Sequence, residues 1–271
     1  MRSNGSIIGI ENSPGSYSAS GVWDLATAFR ERKSGTWPLG HDPYFANVEL
    51  LLHCNGTDGS TTFTDSSANA RTVTPHGNAQ IDTAQSKFGG AAALYDGTGD
   101  YLSLADSADF DLGISGDPFT VEGWVRVSST SSSGIMLLAR GGGTAAWNST
   151  VGHQYLLGFI SSSTLYCQWW KGSIGSISIA VSSTSIAANT WFHLAVTYDG
   201  TNIRMFVNGT LVVTGAAGTI AKPSSSTTTR IGADASGGLT LNGHNDEIRL
   251  TKGVCRYTAA FTPPPIPFFD S

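Results

Sequence analysis

Trp191-Phe192-His193-Leu194-Ala195-Val196-Thr197-Tyr198-Asp199-Gly200-Thr201-Asn202-Ile203-Arg204-Met205-Phe206-Val207-Asn208-Gly209-Thr210-Leu211-Val212-Val213 is the stretch on which the fold turns. Residues 191–198 and 202–207 alternate, and the pairs Asp199-Gly200 and Asn208-Gly209 separate the runs. Asp-Gly and Asn-Gly suit the left-handed positions of two-residue hairpin turns, so the stretch reads as a three-stranded antiparallel meander. Further strands are expected around Val48 to His53, Ala91 to Tyr95, Tyr101 to Leu104, Phe119 to Val127, Ile135 to Arg140, Tyr155 to Ile160, Leu165 to Lys171, Ile174 to Val181, Thr229 to Gly232 and Asp246 to Thr251. So many strands with almost no helical periodicity between them imply an all-β chain, two antiparallel sheets packed face to face as a sandwich or jelly roll. Within Phe119 to Val127, Thr120, Glu122, Trp124 and Arg126 share one face, and Glu122 reads there as a solvated residue.

Composition narrows the function classes. The chain has 271 residues, 15 Lys plus Arg and 20 Asp plus Glu, a formal net charge of −5, and only 13% charged residues. A nucleic-acid binder needs a concentrated basic face, and none is visible. With 34 Ser, 29 Thr and 33 Gly, neutral polar side chains do most of the solvating, while 40% apolar residues can bury a large core. Cys54, Cys167 and Cys255 lack metal-type spacing and are odd in number, which suits small buried hydrophobes in a reducing compartment. The start, Met1-Arg2-Ser3-Asn4, leads into no apolar run of signal-peptide length, and nothing approaches the ~18 apolar residues of a membrane span. Synthesis in a cytoplasm and no membrane insertion are therefore expected.

Residues 1–45 differ in kind from residues 46–271. Ser20 can cap a short helix whose apolar positions Val22, Leu25, Ala26 and Phe29 follow helical spacing, ending at Ser34-Gly35 before a linker that holds Trp37. Such a segment makes no core alone, so it either packs back on the sandwich or, the favoured reading, docks on another copy or another protein, with Val22, Trp23, Leu25, Phe29 and Trp37 as the candidate assembly residues. The proline-rich end, Thr262 to Phe269, is expected to run extended along a surface.

The succession Gly89-Gly90-Ala91-Ala92-Ala93-Leu94-Tyr95-Asp96-Gly97, Phe119-Thr120-Val121-Glu122-Gly123-Trp124-Val125, Trp191 to Gly200 with Val207-Asn208-Gly209, and Asn245-Asp246-Glu247-Ile248-Arg249-Leu250 resembles, in order, the core strands of laminin-G-like, concanavalin A-like jelly rolls. The similarity covers roughly Val48 to Tyr257. Its wording, with Leu51-Leu52-His53, Ala84 to Gly90 and Thr251 to Thr258, looks most like versions found in tailed-phage virion proteins. The resemblance implies a virion surface component, a tail fibre, spike or capsid decoration. It would be held to other virion proteins or to its own copies, a trimer being the usual appendage symmetry, through residues 1–45, and would adhere to host-surface glycan; the alternative is a free carbohydrate-binding module.

Catalysis is not expected. Glycoside hydrolysis needs two carboxylates flanking one bond, yet no Asp or Glu occurs between Glu122 and Asp199. A structural Ca²⁺ is the better expectation: Asp96, Asp100, Asp106, Asp109, Asp111 and Asp117 crowd a stretch without Lys or Arg, and carboxylates are the hard oxygens this ion prefers. The resemblance points to Asp246 as its first ligand, with Asp96, Asp100 and the amide oxygen of Asn55 from neighbouring turns. The alternative is that these Asp residues cap turns. For ligand or partner binding the candidates are Trp147, Trp169 and Trp170, because adjacent Trp169 and Trp170 must point to opposite faces of a strand and an outward indole can stack on a sugar ring.

Overall fold

The computed structural model describes residues 40–129, 134–141, 153–161, 164–171, 176–181, 186–218, 220–222, 228–234 and 236–271. The expected helix with Val22, Trp23, Leu25 and Phe29, and likewise Trp37 and Trp147, lies outside the described residues. The chain forms two compact units, Ala46–Phe268 and a smaller one of Met1–Phe45 with Phe269–Ser271. In the smaller unit the Asp42 amide donates to the Ser271 carbonyl at 3.0 Å.

The larger unit is a sandwich of two antiparallel sheets. The first has eight strands in the order β13-β12-β11-β6-β15-β4-β3, with β1 also pairing β15. Its members are β1 Val48–Leu52, β3 Gln80–Asp82, β4 Ala92–Asp96, β6 Phe119–Val127, β11 Phe192–Tyr198, β12 Asn202–Val207, β13 Thr210–Ala216 and β15 Asn242–Lys252. The second has seven, in the order β10-β9-β8-β7-β14-β5-β2: β2 Thr74–His76, β5 Tyr101–Leu104, β7 Gly134–Gly141, β8 His153–Ser161, β9 Thr164–Trp170, β10 Ser176–Val181 and β14 Thr228–Ile231. The only helical turns among the described residues are 3₁₀ turns at Phe45–Asn47 and Ala108–Phe110.

The meander forms as its alternation predicts. Asn208 and Gly209 take φ of 49° and 75° as a two-residue turn between β12 and β13. The first turn is longer than two residues: Tyr198 pairs with Ile203, and the Asp199 carboxylate accepts the amides of Thr201 and Asn202. Strands β2 and β3 carry no strand signal in the sequence. Both have three residues, too few to show a period, and β2 contains Pro75.

Alternation fills the space between the sheets with Val121, Val125 and Val127 of β6, Leu194 and Val196 of β11, Ile248 and Leu250 of β15, and from the other side Leu102, Leu104, Leu138, Leu157, Leu165, Cys167, Trp169 and Ile231. At about 1.5–3 kcal/mol for each fully buried large apolar side chain, this layer is the main driving force of the fold. Several charged side chains are also buried among the described residues, Arg140 the largest of them. Arg140 is fully buried, its guanidinium bonded to Asp106 at 2.7 Å, Asp111 at 2.8 Å, Gln154 at 3.0 Å and Thr229 at 3.2 Å.

Candidate functional site

The outward face of the seven-stranded sheet is set by the same alternation that fills the core. With Leu102, Leu104, Cys167, Trp169 and Ile231 turned inward, the pairings align Gln168, Leu156, Ala139, Arg230, Ser103 and Thr74 in one row across β9, β8, β7, β14, β5 and β2. Leu156 and Ala139, at the middle of the row, are buried, whereas Gln168, Arg230 and Ser103 are half-buried and Thr74 is exposed. Beside the row lies a stacked trio. The rings of His76 and Tyr101 are parallel within 13° at 4.3 Å, and the Arg230 guanidinium sits 5.1 Å from the Tyr101 ring centre.

His76 Nε2 meets the Ser103 hydroxyl at 2.8 Å, and Arg230 donates to the Asp234 carbonyl at 3.2 Å. Partial burial first, and the Arg230 charge second, hold the His76 imidazole below its ordinary pKa, so it is neutral at pH 7. The Asp234 carboxylate is occupied by the amides of Ser236 and Gly238 and closes its own turn. Neither the row nor the trio contains an acidic side chain. At the far end of the face, Tyr166 and Trp170 on β9 are half-buried and outward.

Of the ligand candidates, Trp170 therefore stands on this face and Trp169 does not. Trp169 is a core residue, 1% exposed, and its indole Nε1 donates to the Ala217 carbonyl at 3.0 Å. The signal that separates them is present in the sequence, since Leu165, Cys167 and Trp169 form the more apolar alternate set. Trp169→Phe should lose that buried hydrogen bond and part of the ring volume, lowering stability by about 1–3 kcal/mol in urea titrations.

The expected calcium ligands divide into two groups. Asp96 and Asp100 shape the turn between β4 and β5: Asp100 accepts the amides of Asn78 and Asp96, and Asp96 accepts the Thr98 amide and the Asn78 side-chain amide. Asp246 and Asn55 border a different turn. Asp246 is fully buried and accepts the amides of Lys87 and Phe88 at 2.7 and 3.0 Å, and Asn55 occupies the space into which a Cβ on Gly89 would project. Burial, opposed by those amides, raises the Asp246 carboxyl to about 7. In the β15 register, Asp96 is opposite Asn242 while Asp246 is four residues along, about 13 Å at the usual rise. The four residues thus do not fit one calcium shell of six to eight oxygens. Among the described residues no three His, Cys, Asp or Glu side chains are grouped so that they could hold a metal ion. Three others of the acidic stretch are paired with arginine, Asp106 and Asp111 with Arg140 and Asp109 with Arg71.

Glu122 is not solvated, contrary to its reading as an exposed strand-face residue. It is fully buried because residues 253–268 run across the outward face of the eight-stranded sheet. Thr120 Oγ1 donates to the Val254 carbonyl, Thr197 Oγ1 to the Tyr257 carbonyl, and the Phe261 amide to the Gly209 carbonyl. Beneath this cover Glu122 accepts two bonds from Arg249, at 2.7 and 3.1 Å, and one from the Tyr257 hydroxyl at 3.0 Å. His193 Nε2 approaches it at 3.3 Å and Arg256 Nε at 3.9 Å. Burial pushes the Glu122 carboxyl up, but Arg249, His193 and Arg256 together hold it well below the usual carboxylate range. The cluster is a closed ionic clamp that ties the C-terminal residues to the sheet.

With this geometry in place, comparison with known proteins fixes the family. The model of the concanavalin A-like lectin/glucanases superfamily, in its laminin-G form, matches residues 96–256. The chain belongs to this superfamily. Among solved structures, domain 4 of AbnA, an extracellular arabinanase from Geobacillus stearothermophilus solved in complex with arabinotriose, superposes on this concanavalin A-like chain with a TM-score of 0.54 at 18% identity, covering 77% of this chain and 94% of that one. The botulinum neurotoxin serotype D ligand-binding domain, in complex with N-acetylneuraminic acid, gives 0.55 at 13% identity over 81% of this chain and 49% of that one. The receptor-binding domain of the C/D mosaic neurotoxin gives 0.54 at 15% identity, covering 76% and 48%. The chain spans about half the length of these toxin chains. At such identities the likeness is one of fold. No curated protein matches the chain.

Proposed function

We infer that the protein is a carbohydrate-binding adhesion module of a phage virion surface, a fibre, spike or capsid decoration, and not an enzyme. The observation that carries the binding reading is the outward face of the seven-stranded sheet. His76, Tyr101, Ser103 and Arg230 bring aromatic, hydroxyl and cationic groups together at one end of that face, with Tyr166, Gln168 and Trp170 at the other. These are the groups that stack on sugar rings and bond their hydroxyls. The superfamily, and the fold shared with a domain crystallised on arabinotriose and another on N-acetylneuraminic acid, support the same class of ligand. A clamped, covered Glu122 supports binding over hydrolysis. The virion context is supported by the phage-like wording of the motifs around Leu51-Leu52-His53 and Thr251 to Thr258. In that setting residues 1–45 attach the module to the particle or to its own copies, and repeated copies multiply a weak single-site affinity.

Glycan arrays with purified protein test the reading. Saturable binding is expected, weakened at least about tenfold, or 1.4 kcal/mol, by Tyr101→Ala or Trp170→Ala, and kept by the core change Trp169→Phe. An empty array, or binding indifferent to both surface substitutions, would remove the ligand face.

A further inference from the structure

We propose that the outward face of the eight-stranded sheet carries a second binding site, in which Arg126 and Lys87 hold the carboxylate of an acidic sugar whose ring lies against Trp191. Partial burial strips water from a charge, so a half-buried cation is normally given a counter-ion. Arg71, Arg140, Arg204 and Arg249 follow that rule, each paired with an Asp or Glu. Arg126 and Lys87 are half-buried too, yet among the described residues neither side chain meets a carboxylate. Lys87 Nζ lies instead over the face of Trp124, 3.8 Å from the ring centre.

The strands bring these groups to one place. Arg126 is directly opposite His244 in the β6–β15 register, and Trp124, under Lys87, is two residues along the same face of β6, about 7 Å at the usual rise. Phe192 pairs with Val125, so Trp191 falls beside Arg126, and its ring centre is 6.3 Å from that of His244. The C-terminal cover is anchored on Thr120, Glu122, Thr197 and Glu247, and its Phe261 reaches His193. Trp191 and Arg126 stand one step beyond His193 and Trp124 on that face, and both are half-buried.

The nearby acids are already engaged. Asp82 meets His244 Nε2 at 2.9 Å, and Asp246 accepts the amides of Lys87 and Phe88. Burial, helped by the Arg126 charge, outweighs the bond to Asp82 and holds the His244 imidazole below its ordinary pKa, so it is neutral at pH 7. The patch therefore has two spare positive charges, and polar capacity lies beneath them. His244 Nδ1 and Trp124 Nε1, both buried, have no hydrogen-bond partner among the described residues. The occupant follows from these groups. Fixed cations call for an anion, a planar guanidinium matches a carboxylate, and the adjoining indole suits the apolar face of a sugar ring. Nucleic acid would need a broader basic surface than a chain of net charge −5 presents here. The site lies on the opposite sheet from Tyr101 and Trp170 and does not rest on the ligand face there.

The test is titration calorimetry of the full chain with oligosaccharides of galacturonate, mannuronate and N-acetylneuraminate. Methyl-esterified oligogalacturonate, inorganic phosphate and phosphatidylglycerol vesicles are the controls. The expected result is saturable binding of at least one acidic oligosaccharide, weakened by added salt, and none of the esterified form. Arg126→Gln, Lys87→Gln and Trp191→Ala should each weaken it about tenfold, while Arg126→Lys, which keeps the charge, retains most of it and Tyr101→Ala all of it. Unchanged melting curves show that each variant is folded. The proposal is overturned by no binding of any acidic oligosaccharide, by binding that survives joint replacement of Arg126 and Lys87 by Gln, or by phosphate or vesicles binding equally well. Binding lost in Tyr101→Ala but kept in Arg126→Gln would put the acidic sugar on the seven-stranded face, overturning this site while leaving that one standing.

Discussion

Replacing Glu122 by Ala should cost about 3–5 kcal/mol of stability, because it strips the common partner from Arg249, Arg256 and His193 while all remain covered. In the native protein Glu122 is fully buried with Arg249 at 2.7 Å, Tyr257 at 3.0 Å and His193 at 3.3 Å, so removal leaves uncompensated buried positive charge. Urea titration at pH 7 measures the loss. Glu122→Gln separates charge from shape: the amide can still accept from Arg249 and Tyr257, so it should fall between Ala and wild type. The pH dependence has a definite sign. The folded carboxyl is held below its unfolded value, so the clamp's contribution is complete above the ordinary Glu range near 4.5 and is lost as pH falls from there through the lower folded value. Wild type and Glu122→Gln should therefore converge in melting temperature on acidification below about pH 4, the ordinary Glu range. A constant gap down to pH 2 would show that Glu122 is not the group being titrated.

This clamp also marks where the sequence could be read and where it could not. Alternation over Phe119 to Val127 shows which side chains share a face, and it puts Glu122, Trp124 and Arg126 on the side away from the core. What it lacks is any sign of what lies over that side. Residues 253–268 supply the cover from more than a hundred positions away, and their prolines encode an extended path without encoding its destination. The hairpins of the meander are legible because Asn208-Gly209 carries its left-handed geometry in two residues. The His76, Tyr101 and Arg230 trio is not, since β2, β5 and β14 each contribute one member and no local period joins them. The acidic stretch from Asp96 to Asp117 shows the same limit. Its composition suggests a metal, whereas a buried Arg140 from β7 absorbs two of its carboxylates.

Gly209→Ala should be as damaging as any core truncation, for a reason the hairpin alone does not contain. An alanine at φ of 75° carries about 1 kcal/mol of backbone strain, which by itself is tolerable. The greater cost is steric. A Cβ on Gly209 would stand 1.8 Å from the Phe261 carbonyl oxygen and 2.8 Å from its carbon, both backbone atoms that no rotamer change can move. The covering segment must therefore lift at Phe261. That would break the Phe261 amide bond to the Gly209 carbonyl and the edge-on contacts of Phe261 with His193 and Phe206. Tyr257, stacked on Phe261 with ring centres 3.5 Å apart, would be drawn with it and withdraw its hydroxyl from Glu122. Lifting the cover admits water to a charge cluster whose strength depends on exclusion from it, so the expected loss is roughly 3 kcal/mol or more. Limited proteolysis gives the sharper readout: Gly209→Ala should be cut within residues 253–268 much faster than wild type, while Gly200→Ala, which faces only the Gly116 carbonyl at 3.0 Å, should leave that segment protected. Equal protection in the two variants would mean that the segment is held by its other anchors, Thr120, Thr197 and Glu247, without help from the turn.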